Sequence, residues 1–440
     1  MALLTKSPKG TQDILPDEIE KWQYIETVLL DTAKYFGFTE IRTPVFEHTE
    51  LFERSVGETT DVVQKEMYTF EKAERSLTLK PEGTAGVARA VVQSGIINEA
   101  LPVKVAYITP CFRYENTQKG RLREFHQFGV EAFGADSPSV DAEIISLAES
   151  AFTSLGVVDL KLEINSIGCP KCRPNYHKAL KQYFSANAAE LCPTCLERLD
   201  KNPMRILDCK NHECAEIAAN APVTLDYLCD ECSQHFEGLK NRLDMMNIAY
   251  SINPKIVRGL DYYTKTVFEF ITDKIGAQAT VCGGGRYDGL LEELGGPKAS
   301  GIGFALGIER LILLMEACEC KYPEKTRCDI YIGSMGEQAA VKALQICYYL
   351  RNAGHIAECD LMNRSVKAQM KYADKIKARY SMIIGSNELE TGKANLKNMS
   401  TGQTVAVDFE DISQFSDELC ELLDKEAYES LLNSIEDLKF

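Results

Sequence analysis

Residues 111–134 read CFRYENTQKGRLREFHQFGVEAFG. Two strand-like runs flank the polar, glycine-bearing segment 116–120, which is the pattern of a β-hairpin. Side chains alternate faces along a strand, so parity sorts them. Odd positions carry Arg113, Glu115, Arg121, Arg123, Phe125, Gln127 and Glu131. Even positions carry Phe112, Tyr114, Leu122, Phe128 and Val130, interrupted by Glu124 and His126. One face is mostly apolar. The other gathers guanidiniums, carboxylates, an amide and a ring. A solvated face of a two-sided sheet would look like this. So would a site for a planar anion, because arginine forks fit phosphate oxygens and a ring stacks on a base.

Three further stretches bring chemistry-bearing residues together. In Lys80-Pro81-Glu82-Gly83-Thr84 a strand turns into a helix, and Thr84 is either an N-cap or a ligand group. In VRGLDYYTKTVFEF, residues 257–270, Arg258, Asp261, Tyr262 and Tyr263 form a polar knot between apolar flanks. A buried Arg–Asp pair with two core tyrosines is the ordinary reading of that knot. In Cys282-Gly283-Gly284-Gly285-Arg286-Tyr287-Asp288 the glycines allow a phosphate-cradling loop or a tight turn. No Lys-Ser/Thr follows, so it is no Walker loop. Residues 299–315, ASGIGFALGIERLILLM, run into an apolar helix carrying Glu309 and Arg310, an exposed ion pair on the simplest view.

Sixteen cysteines are many. Eight fall within residues 169–232 as Cys169-x-x-Cys172, Cys192-x-x-Cys195, Cys209 with Cys214, and Cys229-x-x-Cys232. Two C-x-x-C pairs clamp one tetrahedral zinc, and eight thiols fill two such sites. A reduced, metal-free thiol cluster is the alternative. The role would be structural rather than catalytic.

The chain has 440 residues and is 45% hydrophobic, enough for two or three domains with real cores. No 18-residue apolar run appears, and the N-terminus lacks the apolar region of a signal peptide. A cytoplasmic protein is expected. The net charge of −16 argues against general nucleic-acid binding and confines any such contact to local basic patches.

Periodicity places a helix over 16–36, a strand over 38–45 ending near Pro44, helices over 85–93 and 139–155, and a strand over 160–164. Residues 321–327 read as a linker. Beyond it, strands at 329–332, 356–361 and 380–385 alternate with helices at 337–350 and 365–377, a mostly parallel α/β domain. Arg364, Lys367, Lys371 and Lys375 lie along the second of these helices, and residues 426–440 add a helical tail.

Taken in order, Phe112-Arg113-x-Glu115, Arg121, and Phe125 through Glu131 resemble motif 2 of the class II aminoacyl-tRNA synthetases. The 16–45 unit resembles motif 1. Gly307-x-Glu309-Arg310 resembles motif 3. Arg258-Gly-Leu-Asp-Tyr-Tyr263 and the Gly-Gly-Gly-Arg-Tyr string resemble the histidyl-tRNA synthetases in particular. The resemblance implies an α+β protein: an antiparallel catalytic core over 1–167 and 246–322, a Cys-rich insertion over 168–245, and an anticodon-binding α/β domain over 327–440. It implies a homodimer that uses ATP and Mg2+, charges tRNA(His) with histidine, and does not engage a membrane.

It also implies roles. Arg113 and Arg258 would flank the α-phosphate. Glu115, Arg121, Phe125 and Arg310 would hold ATP. Glu82, Thr84 and Gln127 would hold the α-amino group. Glu131 and Tyr263, beside Tyr262 and Arg258, would pair the imidazole. The motif 2 loop reads Asn116-Thr117-Gln118 where many relatives carry Arg-Pro-Gln, so acceptor-end contacts do not carry over. A non-catalytic paralogue that partners an ATP phosphoribosyltransferase is the competing reading. Such proteins usually lose the C-terminal domain and the arginine motifs, both present here.

Overall fold

The expected hairpin supplies the second and third strands of an eight-stranded sheet. The computed structural model describes residues 5–57, 60, 62–207, 209, 211–258, 260, 262–276, 280–323 and 328–436. Val103–Phe112 and Glu124–Phe133 pair antiparallel, from Val103 opposite Phe133 to Phe112 opposite Glu124. The ladder ends sooner than alternation alone suggests. The Tyr114 amide donates to the Glu66 carbonyl at 2.7 Å, which draws the arm off the sheet. Arg113 and Glu115 therefore stand on a loop arm, and a bridge between Gln118 and Arg121 closes the tip.

Gly301–Gly307 pairs with the other edge of Glu124–Phe133, followed by Thr280–Arg286, Thr264–Ile271 and Lys161–Ser166, all antiparallel. Thr39–Glu40 and Ser251–Ile252 finish the two edges in parallel. The even-numbered hairpin residues Phe128, Val130 and Ala132 face a core shared with Phe268, Phe304 and helices Ile19–Tyr35, Pro138–Ser154 and Ile308–Ala317. Each large apolar side chain buried there contributes roughly 1.5–3 kcal/mol. A slip of one residue would exchange that face for the charged one, so burial fixes which face carries Gln127 and Glu131. The even-face interruption at His126 is absorbed. Its Nδ1 lies 3.0 Å from Glu309, and its ring meets Trp22 edge-on at 5.1 Å.

Two local expectations change. The strand anticipated over 38–45 is broken before Pro44. Thr39–Glu40 joins the large sheet, and Phe46–His48 joins a three-stranded sheet with Arg75–Leu79 and Tyr68–Lys72. The triple glycine is neither a loop nor a turn but the interior of Thr280–Arg286. A Cβ at Gly283 would lie 2.4 Å from the Arg258 guanidinium, and one at Gly284 would lie 2.4 Å from the Gly303 carbonyl oxygen. The glycines are there to admit neighbours.

The chain divides into two compact units, Met1–Pro323 and Glu324–Phe440. In the second, Ala357–Cys359, Ile330–Ser334 and Tyr380–Ile384 pair in parallel, as expected. Lys393–Asn398 and Thr404–Asp408 add two antiparallel strands whose polar, half-exposed sequences gave little strand signal. The last helix runs over Ile412–Glu436, starting well before residue 426, and Phe415 and Leu419 seat it in the core. Arg364 precedes helix Val366–Lys375 rather than lying on it. Its amide and guanidinium bond to Asp360, while Lys367, Lys371 and Lys375 are exposed. Of the expected linker, residues 324–327 lie outside the described residues. No described helix is long and apolar enough to cross a membrane.

Candidate active site

Glu131 is 1% exposed and centrally placed. Its carboxylate accepts from the Tyr107 hydroxyl at 3.0 Å and from the Tyr287 hydroxyl. Burial pushes its pKa up to about 8, although the Tyr287, Thr84 and Tyr107 hydroxyls pull the other way. Glycine makes the geometry possible. A Cβ at Gly129 would overlap the Tyr107 ring, and one at Gly303 would lie 1.9 Å from Glu131. Around this carboxylate pack Tyr262 and Tyr263, with ring centroids 4.6 Å apart, and Tyr287, edge-on to Tyr262 at 5.5 Å. Burial raises the pKa of all three, so they remain neutral hydrogen-bonding phenols.

The Lys80–Thr84 turn supplies the next wall. Glu82 caps its own helix, Thr84–Ser94, by accepting from the amides of Thr84 at 2.9 Å and Ala85 at 2.7 Å. The Thr84 hydroxyl reaches both Glu82 and Glu131. The Gln127 side-chain oxygen accepts from the Gly83 amide at 3.1 Å and from the Cys111 thiol at 3.3 Å. The Glu82 carboxylate keeps a further acceptor position, whereas both lone pairs of the Gln127 oxygen are engaged.

A small cleft of about 150 Å³ adjoins this wall. Arg113, Glu115, Arg121, Phe125 and Arg310 line it together. Arg113 anchors through Nε to the Pro81 carbonyl at 2.7 Å and lies 5.5 Å from the Phe125 ring centre. Glu115 pairs with Arg121. Arg310 differs from them. Its Nε and Nη2 are buried with no hydrogen-bond partner among the described residues. Burial and the charge of Arg121 lower its pKa, so an anion in the cleft would relieve it. The Glu309–Arg310 surface pair does not form. Glu309 is buried and accepts from the His126 amide at 2.9 and 3.0 Å, which leaves Arg310 to the cleft.

Arg258 pairs with Glu269, and the second oxygen of Glu269 accepts from Thr280 in the cleft wall at 2.7 Å. Burial opposes its charge, but Tyr263 and Glu269 outweigh that and raise its pKa. Asp261, the other partner suggested by the sequence, lies outside the described residues.

The eight clustered cysteines form two quartets: Cys169, Cys172, Cys229 and Cys232, and Cys192, Cys195, Cys209 and Cys214, with sulfurs within 4.8 Å of one another in each. The sulfurs lie 3.7 Å apart in Cys169–Cys172 and 3.9 Å apart in both Cys169–Cys229 and Cys192–Cys209. A tetrahedron with metal–sulfur bonds of about 2.3 Å has edges of about 3.8 Å, whereas a disulfide needs about 2.05 Å. Backbone amides of Cys229 and Cys192 point at the sulfurs of Cys172 and Cys214 at 3.1 and 3.2 Å, the contacts a thiolate wants. His212 stands apart, exposed beside Glu216.

Tyr107 and Tyr287 carried no role in the sequence reading. Tyr107 does sit at odd parity on the first hairpin strand, opposite Gly129, and that was the available signal. The contact of Tyr287 with Glu131 spans 156 positions and had none.

This sheet, with its hairpin and its buried helix after Gly301–Gly307, is the catalytic core of a class II aminoacyl-tRNA synthetase. A family model of histidyl-tRNA synthetase matches residues 10–311, and one of an anticodon-binding domain matches residues 329–419. The chain belongs to the histidyl-tRNA synthetase family. It is 58% identical to a histidine–tRNA ligase of Clostridium novyi over 412 residues, covering 93% of this chain and 98% of that one. A histidine–tRNA ligase of Acetivibrio thermocellus is 57% identical over 402 residues, 91% of this chain and 96% of that one. The crystal structure of apo histidyl-tRNA synthetase from S. aureus superposes with a TM-score of 0.81 at 42% identity, covering 94% of this chain and all of that one.

Proposed function

We propose that the protein joins L-histidine to ATP, releases pyrophosphate, and transfers the histidyl group to the 3′ end of tRNA(His). One observation carries this reading. A buried carboxylate held by two tyrosine hydroxyls adjoins a cleft lined by Arg113, Arg121 and Arg310. The first suits an imidazole and the second a triphosphate.

Adenylation is an in-line attack of the histidine carboxylate on the α-phosphate. A carboxyl O–P bond forms, the P–O bond to the β-phosphate breaks, and the electron pair leaves on pyrophosphate. No proton must move, so catalysis is positioning and charge neutralisation. Arg113 and Arg258 flank the α-phosphate. Phe125 stacks on adenine beneath Arg310, whose buried Nε and Nη2 turn to the terminal phosphate. Arg121 takes a second phosphate contact, and Glu115 lies by the adenine. Glu131 and Tyr263 pair the two imidazole nitrogens, with Tyr262 packed behind. Glu82, Thr84 and Gln127 hold the α-amino group. An amino acid without those nitrogens leaves Glu131 unpaired, which is a strong basis for rejection.

Magnesium belongs with the outer phosphates, where it offsets their charge. Glu115 and Glu269 already serve arginines, so its oxygens would come largely from ATP and water. The cysteine quartets fit structural zinc, one ion each. We place the enzyme in the cytoplasm as a homodimer. The exposed apolar residues Tyr35, Val45, Phe46 and Phe70 on and beside the motif 1 segment suit a partner surface. Our working division is core over 1–167 and 246–322, insertion over 168–245, and anticodon-binding domain over 327–440. Charging of tRNA(His) transcript with labelled histidine tests the complete reaction. Charging of that transcript supports the proposal, and adenylate without charging would confine it to the first step.

A further inference from the structure

The two quartets are nested. The inner one joins Cys192 and Cys195 to Cys209 and Cys214, and its Cys195 and Cys214 pack in a cluster with Leu180, Phe184 and Ile206 of the insertion. The outer one joins the first and last pairs of the block, so it ties together the two strands of chain by which the insertion leaves the catalytic sheet. Strand Lys161–Ser166 ends just before Cys169, and helix Asp230–Met245 starts directly after Cys229.

Several neighbours of the outer ligands reach into the catalytic core. Arg173, next to Cys172, donates through Nη2 to the Tyr263 carbonyl. The Gly168 carbonyl, next to Cys169, accepts from the Lys265 amide at 2.9 Å, and the Ile167 amide donates to the Lys265 carbonyl at 2.8 Å. Glu231, between Cys229 and Cys232, pairs with Lys265 at 3.0 Å. His235, one turn beyond Cys232, lies 2.8 Å from Asp141, which holds Arg286. Four of these five contacts land on residues 263 and 265, three on the main chain beside Tyr263 and one on the Lys265 ammonium. A side chain is placed to sub-ångström precision only when its supports are themselves fixed. The quartet is the fixed point from which these supports radiate.

We propose that the zinc ion of the outer quartet is a positioning device for the histidine pocket, whereas that of the inner quartet only folds the insertion. Binding displaces the thiol protons and locks Cys172 and Cys229, and through them Arg173 and Glu231, against the Tyr263–Lys265 segment. The proposal rests on the pocket and the zinc content proposed above.

The test combines metal analysis with histidine-dependent ATP–pyrophosphate exchange on the full-length protein. Wild type should carry two zinc ions per chain. Cys229→Ser/Cys232→Ser should carry one and raise KM for histidine by about tenfold or more, with KM for ATP changed less than about twofold. Cys209→Ser/Cys214→Ser should also lose one ion, with a much smaller rise in histidine KM. Arg173→Ala keeps both ions and should raise histidine KM alone, so the idea stays testable if the outer double variant does not fold. Two bound ions with an unchanged histidine KM in Arg173→Ala would overturn the positioning role and leave zinc standing. An equal rise from the inner and outer pairs would overturn it as well. Wild type without zinc would sink the zinc reading and this inference together. Zinc without histidine-dependent exchange would refute the pocket assignment, and the inference with it.

Discussion

Tyr287 donates its hydroxyl to Glu131 from a strand end far away in sequence, and Gly303 is what lets the two meet. Burial sets the protonation of this carboxyl group, and the Tyr287 hydroxyl opposes the shift. A carboxyl group whose folded pKa is about 8, against 4.5 when exposed, binds more protons folded than unfolded between those values. The stability it contributes therefore falls as pH rises from 4.5 to about 8. Glu131→Gln removes this dependence. In thermal melts the variant should gain on wild type steadily across that window and lose histidine binding throughout. A constant difference in melting temperature would contradict the assignment.

Tyr287→Phe keeps the ring and removes one donor. The lost hydrogen bond costs about 1–3 kcal/mol at a buried charge-accepting site. Histidine KM should rise about tenfold or more with KM for ATP little changed. Equal changes in both constants would mean general disorder instead.

Arg258→Ala should lower the rate of adenylate formation by about 10²–10³. The circular dichroism spectrum and histidine affinity should stay near wild type. An unchanged single-turnover rate would remove Arg258 from the α-phosphate. Gly283→Ala is a subtler version, since the added methyl would lie 2.4 Å from the Arg258 guanidinium and force it aside. It should reduce the same rate without deleting any functional group.

Arg310 has two buried nitrogens without partners among the described residues, so its removal costs the free enzyme little. Arg310→Ala should keep or raise thermal stability while increasing KM for ATP by about tenfold or more, from the loss of a charge-assisted contact. Isothermal titration with ATP alone checks it. Unaltered ATP affinity would rule out the phosphate contact.

Much of the site was legible because strand parity is a local property. Gln127 and Glu131 stand on the face that alternation assigned to them, fixed by the burial of Phe128 and Val130 on the other. Where alternation misled, a tertiary bond had won. The Tyr114 amide leaves the ladder for Glu66, so Arg113 and Glu115 approach the cleft from a loop. Spacing made the cysteines conspicuous but left their partners open, because the nested pairing of Cys169 with Cys229 depends on both chain ends returning to one sheet. The glycine run suggested a loop because its sequence cannot display the neighbours, Arg258 and Gly303, that need the room. The engagement of Glu309 with His126, which leaves Arg310 to the cleft, is likewise a contact between distant segments.

The most direct measurement is ATP–pyrophosphate exchange on the purified protein, run with each of the standard amino acids in turn. Exchange with histidine alone is the predicted result, and it would establish the adenylation chemistry and the imidazole pocket together. No exchange, from protein that is folded and binds histidine, would contradict the account. It would point instead to a non-catalytic member of the family in which Arg113, Arg258 and Arg310 serve some other anion.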